Sequence, residues 1–476
     1  MGGGTRVEIV ENRDRALRGE DLSGGVTASW VQAGRWLTTL LVALAAYAAS
    51  VEAQEMAPVA GDLALEGDTI SLGMALEQAM VVSPAMAQSR SSVANAGGTR
   101  REAWGSFLPS VNLNSGATVQ SASQFDPSTQ RVVSGSSDSY NAGLSANYQL
   151  FQGGRKFSEL GRTESAILEA EARMEDQEFA VLLQTRTFFM NALRQDELVR
   201  VAEASVIRAE ESLEITRRRV QVGTGTRSDS LRTRLELANA RQAFLQAQNQ
   251  LRAARFALGR QVGAARPLVP ESPGDLDPRP LLLAEHEIVA LAESVSPAVR
   301  AAEAAYTVAD ATVSSARSSY LPTVSLSSGY TWATRGNATA TPGGGGNTSW
   351  NFRLSGSYPL FNGFQREEQV SSASESRYVA RLTEDDARRG VRQDVDGALR
   401  TLETQALAID IARDARIVAE EDLRLNRERY RVGVATILDV ITSQVAMDQA
   451  AADLVSARYD YVLAKAELES IVGREL

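Results

Sequence analysis

The stretch Tyr430-Arg431-Val432-Gly433-Val434-Ala435-Thr436-Ile437-Leu438-Asp439 closes a proline-free run that begins at Gln365, and in it a long helical pattern stops, turns and resumes. Read as one helix, Gln365 to Val432 would be ~100 Å long at ~1.5 Å per residue. Nothing globular needs a rod of that length. The same arrangement stands about 210 residues earlier, where Arg155 to Val222 forms a second rod ending in Val222-Gly223-Thr224-Gly225-Thr226-Arg227-Ser228-Asp229. The chain reads as a duplicated object, and its function is to be sought in the rods and in what joins them.

Length does not exclude an enzyme, because 476 residues can hold two or three compact domains. Composition argues against one. There is no cysteine and a single histidine, His286. Thiol nucleophiles, Cys/His metal sites and a histidine-based triad present in both halves are therefore unavailable. His286 itself lies beside a proline-rich linker, as an ordinary solvated residue would. A formal charge of -10 disfavours nucleic acid, which calls for a basic face. No enzyme activity, cofactor or metal is expected.

Ahead of the repeats, Arg35 precedes the apolar run Trp36 to Ala46, and Val51-Glu52-Ala53 places small residues at the -3 and -1 positions of a cleavage site. This is the pattern of a secretory signal, too short for a membrane anchor. Residues 1–53 are read as an N-terminal extension plus signal peptide. No cysteine follows Ala53, so no lipid anchor is expected there.

The mature chain then runs through its elements twice. A first repeat at 54–263 holds a helix, a β-hairpin at about 110–152, the rod at about 155–222 and a helix at about 228–262. A linker at 264–285, rich in proline and acidic residues, leads to the second repeat at 286–476. There the hairpin falls at about 323–362, the rod at about 365–432 and the last helix at about 436–472. Ser296-Pro297 answers Ser83-Pro84, and Tyr320-Leu321-Pro322 answers Phe107-Leu108-Pro109, both at an offset of 213. Tyr358 to Gly363 answers Tyr148 to Gly153 at 210, as Gly433 answers Gly223 and Asp439 answers Asp229. The offset changes only across the loop between the alternating stretches, as duplication followed by surface drift would leave it.

The alternating stretches are the strongest periodic signal. Tyr140, Ala142, Leu144, Ala146, Tyr148 and Leu150 alternate with Ser139, Asn141, Ser145, Asn147 and Gln149. Trp350, Phe352, Leu354, Tyr358 and Leu360 do the same against Asn351, Arg353, Ser355 and Ser357. Val111, Leu113, Ala117 and Val119, and Val324, Leu326, Tyr330 and Trp332, mark the partner strands. Four segments of ~10 residues with period two fit tilted membrane-spanning strands with aromatic girdles. The alternative is a soluble hairpin pair lying on a core. Open edges are not tolerated in lipid, so a membrane reading requires several chains, and three would close a twelve-stranded barrel with a lumen.

In the rods, Val199, Ala202, Val206, Ala209, Leu213 and Val220 fall on a 3-4 spacing broken by Thr216. Ile409, Ala412, Ala419, Leu423 and Tyr430 do likewise, broken by Arg416 and Asn426. Such narrow seams suit helices packed side by side, and spacing alone does not separate a tube from an ordinary antiparallel coiled coil.

This ordered set, from about Asp68 to Leu476, resembles the TolC family of outer membrane efflux ducts. The resemblance rests on the paired Ser-Pro sites, Phe107-Leu108-Pro109 with Tyr320-Leu321-Pro322, the strand ends at Leu150-Phe151 and Leu360-Phe361, and the two Val-Gly turns. Each motif alone is weak; together, twice and in order, they are specific. The resemblance implies a mixed α and β membrane protein. In it a homotrimer, with four strands from each chain, forms an outer membrane β-barrel continued by a long α-helical periplasmic barrel with a gated tip. It implies a passive exit duct for tripartite efflux or type I secretion, in contact with outer membrane lipid. Its partners would be a periplasmic adaptor (membrane fusion) protein and an inner membrane pump of RND, ABC or MFS type.

At the tip, the resemblance puts Asp229 and Tyr430 in a closed-state hydrogen bond and Asp439 in a constricting ring, one carboxylate per chain. Val222, Gly223 and Thr224, with Val432, Gly433 and Val434, fall where the family meets its adaptor. Two positions depart: Ala435 replaces an arginine that links neighbouring chains in the best-known member, and Thr442 replaces a second aspartate. Three converging Asp439 carboxylates would repel one another, raise their own pKa values and attract cations. Simpler roles compete. Asp229 follows Thr226 in the same turn as a capping residue would, Asp439 lies just after a Gly turn as a helix N-terminal residue favoured by the dipole, and Tyr430 sits at a seam position.

Two other functions remain in competition. A trimeric autotransporter or adhesin also builds a barrel from four strands per chain, but with its strands at one terminus. A soluble periplasmic coiled-coil adaptor would have no barrel.

Overall fold

The computed structural model describes residues 69–126, 130–272, 274, 278, 281, 283–335, 347–474 and 476, with backbone alone at 120–126, 131–138 and 335. The signal segment Met1–Ala53 lies outside the described residues, as do parts of the linker and the loop between the strands of the second hairpin.

The chain enters through β1 (Thr69–Ile70), α1 (Leu72–Val82) and α2 (Pro84–Gly105). Ser83 serves both helices: its N–H ends α1 on the Ala79 carbonyl at 2.9 Å, and its hydroxyl accepts from Met86 N–H at 3.5 Å. Pro84 follows at the first helical position, where no N–H is needed. The strands β2 (Ser110–Asp126) and β3 (Arg131–Gln152) come next. The long helix α3 (Arg155–Gln221) then leads to α4 (Arg227–Gln261). The second half follows as β4 (Val269–Pro270), α5 (Glu285–Val295), α6 (Pro297–Arg317), β5 (Thr323–Arg335), β6 (Asn347–Ser357), α7 (Gln365–Arg431) and α8 (Ile437–Val472). The helices α3 and α7 have 67 residues each and are therefore ~100 Å long.

Near the strands, α3 packs between α2 and α6, and α6 packs on α7. Toward the Gly223 and Gly433 turns the short helices are replaced, so that α4, α3, α8 and α7 lie side by side in that order. The seam residues face their hairpin partners. Ala209 and Leu213 bury against Leu237 and Ala240, while Leu423 and Tyr430 bury against Ile437, Val440 and Met447. Of the three polar interruptions of the seam, Arg416 is exposed to solvent and the other two find partners inside it. Thr216 is fully buried with its hydroxyl donating to Ser212 O at 2.8 Å, and the Asn426 amide donates to Ser443 Oγ at 2.7 Å. Midway along the rods, α5 and α6 lay Ile288, Ala292 and Val299 onto Val395, Leu399 and Ile409 of α7 and Leu454, Tyr461 and Leu468 of α8.

All four long strands form one antiparallel sheet in the order β2-β3-β5-β6, so the hairpins of the two halves join through β3 and β5. The register lines up Leu113, Leu144, Tyr330 and Trp350 as one cross-sheet row. The neighbouring row, on the opposite face, is Asn112, Ser145, Gly329 and Asn351. One face is thus apolar and exposed, with Leu113 at 75% and Trp350 at 72%, and the other is polar. Among the described residues both outer strands, β2 and β6, keep a free edge. Among the described residues no helix is long and apolar enough to cross a membrane.

Three details differ from the sequence reading. The strands β2 and β3 have 17 and 22 residues, well beyond the ~10 of a membrane span. Inside the segment read as linker, Val269–Pro270 pairs in parallel with Thr69–Ile70 and so ties the two halves together. Lastly, β6 stops at Ser357, before Leu360-Phe361, because Pro359 has no N–H to give to a ladder.

The junction of strand and rod is built twice. Gly153, at φ +62°, passes so close to Ser318 that a Cβ would lie 2.3 Å from its carbonyl oxygen, so no side chain fits. At the second residue of each rod a buried cation reaches back. Lys156 donates to Gln149 O and lies over the Tyr148 ring at 4.5 Å. Arg366, at the equivalent position, donates to Pro359 O at 3.1 Å and lies over Tyr320 at 5.3 Å.

Candidate functional site

The two tip turns are built by their sequence. At the end of α3, Gly223 N–H donates to Val220 O at 3.1 Å and Thr224 N–H to Arg219 O at 2.9 Å. At the end of α7, Gly433 N–H donates to Tyr430 O at 3.1 Å and Val434 N–H to Arg429 O at 2.8 Å. This is a Schellman motif in both copies, and it needs a left-handed residue just past the helix end; Gly223 and Gly433 supply it at φ +77° and +84°. Thr226 and Thr436 then start the returning helices. Each hydroxyl accepts from the N–H three residues on, and the aspartate there accepts from the threonine N–H, closing a capping box.

Asp229 and Asp439 are therefore held as caps. The Asp439 carboxylate takes Thr436 N–H at 2.8 Å and Thr436 Oγ1 at 2.9 Å, and these bonds, the backbone one first, hold its pKa below the usual carboxylate value. Within one chain this is opposite in sign to the raised value expected of a converging ring. Asp229 makes no bond to Tyr430. Its carboxylate is turned to its own helix start, and the Tyr430 hydroxyl is buried without a hydrogen-bond partner among the described residues. The local backbone donor three residues away wins over the tyrosine on the other hairpin.

Tyr430 is instead held through its ring and carbonyl. It is 7% exposed, and the Arg219 guanidinium sits 4.5 Å from its ring centroid. Arg219 Nη1 donates to Tyr430 O, and Nη2 to Thr224 O at 3.3 Å. One side chain of the first hairpin so joins both turns. The sequence offers only a faint signal for it, the run Arg217-Arg218-Arg219, in which nothing marks the third arginine.

Higher up, α3 and α8 are joined by further polar pairs that sequence reading missed. Arg208 Nη2 and Ser205 Oγ both donate to Asp448, and Ser212 Oγ donates to Gln444 Oε1 at 3.4 Å. Glu236 of α4, pushed up by burial and then by the charge of Asp448, belongs to the same cluster. Farther along, Arg186 pairs with Glu469 and Arg194 with Asp460. The cations lie on α3 and the anions on α8, a complementarity visible only once the two helices are neighbours.

The outermost residues carry no such ties. Val222, Val432 and Val434 project as exposed apolar knobs, at 73%, 73% and 69%, beside exposed Gly223, Thr224 and Gly433. Among the described residues no group of three or more His, Asp or Glu side chains could hold a metal ion. Chemically the tip offers latched helix ends, two aspartates and a small exposed apolar edge.

The family model for the outer membrane efflux protein matches residues 75–264 and 288–474. The chain is similar to the outer membrane efflux protein BepC of Brucella suis, 24% identical over 333 residues, covering 70% of this chain and 72% of that protein. It is similar to the protein CyaE of Bordetella pertussis, 26% identical over 424 residues, covering 85% and 82%. Among solved structures, the outer membrane protein VceC of Vibrio cholerae superposes with a TM-score of 0.70 at 18% identity, covering 85% of this chain and 96% of that one. The open state of the MtrE outer membrane channel of Neisseria gonorrhoeae gives 0.69 at 21% identity, covering 85% and 89%.

Proposed function

The chain belongs to the outer membrane efflux protein family, whose members are outer membrane channels with a helical periplasmic part, and on that footing we propose that three copies close a common barrel and stem. The observation that carries this reading is the sheet. It has an exposed apolar face through Leu113, Leu144, Tyr330 and Trp350, a polar opposite face, and free edges at β2 and β6. Only closure on further copies reconciles an apolar outer face in lipid with edges that need partners. Three chains supply an even-numbered, twelve-stranded barrel with a polar lumen, and the rods continue it into the periplasm.

Cargo then moves passively from a pump and adaptor complex to the exterior, and the chain performs no catalysis. The tip residues take proposed roles. Val222, Gly223, Thr224, Val432, Gly433 and Val434 form the edge that receives the adaptor. Tyr430, latched by Arg219, keeps the second hairpin against the first. Asp229 caps α4, and Asp439 combines its capping role with a ring of three carboxylates at the constriction. Neither alternative has this support. An adhesin barrel gathers its strands at one terminus, and a soluble adaptor has no use for the exposed apolar face.

Membrane fractionation tests the reading. A heat-modifiable trimer in the outer membrane fraction, extracted only by detergent, is expected; a monomer released with the periplasm would overturn it.

A further inference from the structure

We infer that the seam between neighbouring chains is a copy of the α3–α8 seam inside each chain, locked by a charge pair from Arg234 of one chain to Asp422 of the next. This rests on the ring reading above and adds which faces meet and in which register. Along the tip half the helices lie in the order α4, α3, α8, α7, so among the described residues α4 and α7 each keep one flank without a neighbour. The sheet ends the same way, with β2 from the first half and β6 from the second at its edges. The duplication maps one flank onto the other. With the offset of 210, α7 occupies the place of α3 and α4 the place of α8, so α7 against the next chain's α4 repeats α3 against α8.

The contacts carry over residue by residue. Ser212 and Gln444, both buried and 3.4 Å apart in the internal seam, correspond to Asp422 and Arg234. Those two are exposed in the single chain and have opposite charge. Asp422 is already aimed, since Ser443 Oγ and Asn426 Nδ2 donate to its two oxygens from within its own hairpin. One turn away, the internal ion pair Arg208–Asp448 corresponds to Val418 and Ala238, so the ionic contact is exchanged for an apolar one. Around them Ile411, Val418 and Leu425, seven residues apart, form an exposed stripe on α7, and Leu231, Leu235 and Leu245 are exposed apolar residues on α4, with Leu245 two heptads after Leu231. Apolar stripes flanking one desolvated charge pair are what a seam between copies requires. The pair also fixes the register, because a slip of one turn would face Asp422 with Ala238 or Ser230.

The chain contains no cysteine, so introduced thiols are the sole reactive ones. Arg234→Cys with Asp422→Cys in the full-length protein, treated in membranes with a short bismaleimide, should convert most of the chain into a heat-resistant trimer band. Each single variant should give none. Ser212→Cys with Gln444→Cys should cross-link within the monomer and serves as the reference. Absence of the inter-chain product, with the heat-modifiable trimer still present, would overturn the seam while leaving the ring reading intact; absence of any trimer would overturn both. In parallel, Arg234→Asp should lower the temperature at which the trimer band collapses, and Asp422→Arg added to it should restore that temperature. An unchanged collapse temperature in Arg234→Asp would also contradict the pair.

Discussion

At Tyr430 the ring and carbonyl hold the hairpins while the hydroxyl is idle, and this separates two substitutions that look alike. Tyr430→Phe keeps the face presented to Arg219 and removes a buried hydroxyl without a partner, so stability and single-channel conductance in a planar bilayer should stay near the parent. Arg219→Leu removes the bonds to Tyr430 O and Thr224 O as well as the contact with the ring. It should raise conductance, and a parent-like value would move the latch elsewhere. Asp439 gives a test by pH. Its value is depressed by Thr436, so its capping contribution is complete above the unfolded carboxylate value and is lost as pH falls through the lower, folded one. Hydrogen exchange at the start of α8 should accelerate over that acidic window, and in Asp439→Asn the dependence should vanish. If the three carboxylates also form the constriction, Asp439→Ala should abolish block by multivalent cations.

At the scale of elements, the junction cations and the sheet faces carry the predictions. Lys156 is buried between Tyr148 and Gln149 O, and Lys156→Met forfeits a charged hydrogen bond of about 2 kcal/mol. The barrel should melt at a lower temperature with the rods still helical by circular dichroism. On the sheet, Leu144→Arg on the apolar face should cost ~2–4 kcal/mol in bilayers, while Asn112→Lys on the opposite face should be tolerated. Much of this level was legible beforehand. An unbroken helical pattern from Gln365 to Val432, Ser-Pro pairs and strict alternation each have one local physical meaning, and the helices and strands form there. Pairing between distant segments was not. The β1–β4 pairing involves two residues on each side, too few to give a period, and it lay in a segment whose prolines read as linker.

For the whole molecule the duplication is the informative feature, because it states how each half must be surrounded. Gly223 with Gly433 and Asp229 with Asp439 could be read as equivalent positions from spacing alone, and in the structure Thr226 and Thr436 close the same capping box with those aspartates. The contacts between hairpins escaped for the opposite reason. Arg219, Arg208 and Asp448 are one arginine among many and one aspartate among many until α8 is laid on α3. The Asp229 to Tyr430 bond that the resemblance implies for a closed state is not formed in this structure, where the nearer Thr226 N–H takes the carboxylate. What all of this presupposes is that each sheet finds partners for β2 and β6 in other copies. Electron microscopy of the protein extracted in mild detergent examines that most directly. A threefold particle with a ring from which a hollow stem of ~100 Å extends is expected; single chains, or a ring of any other order, would rule out the three-chain barrel.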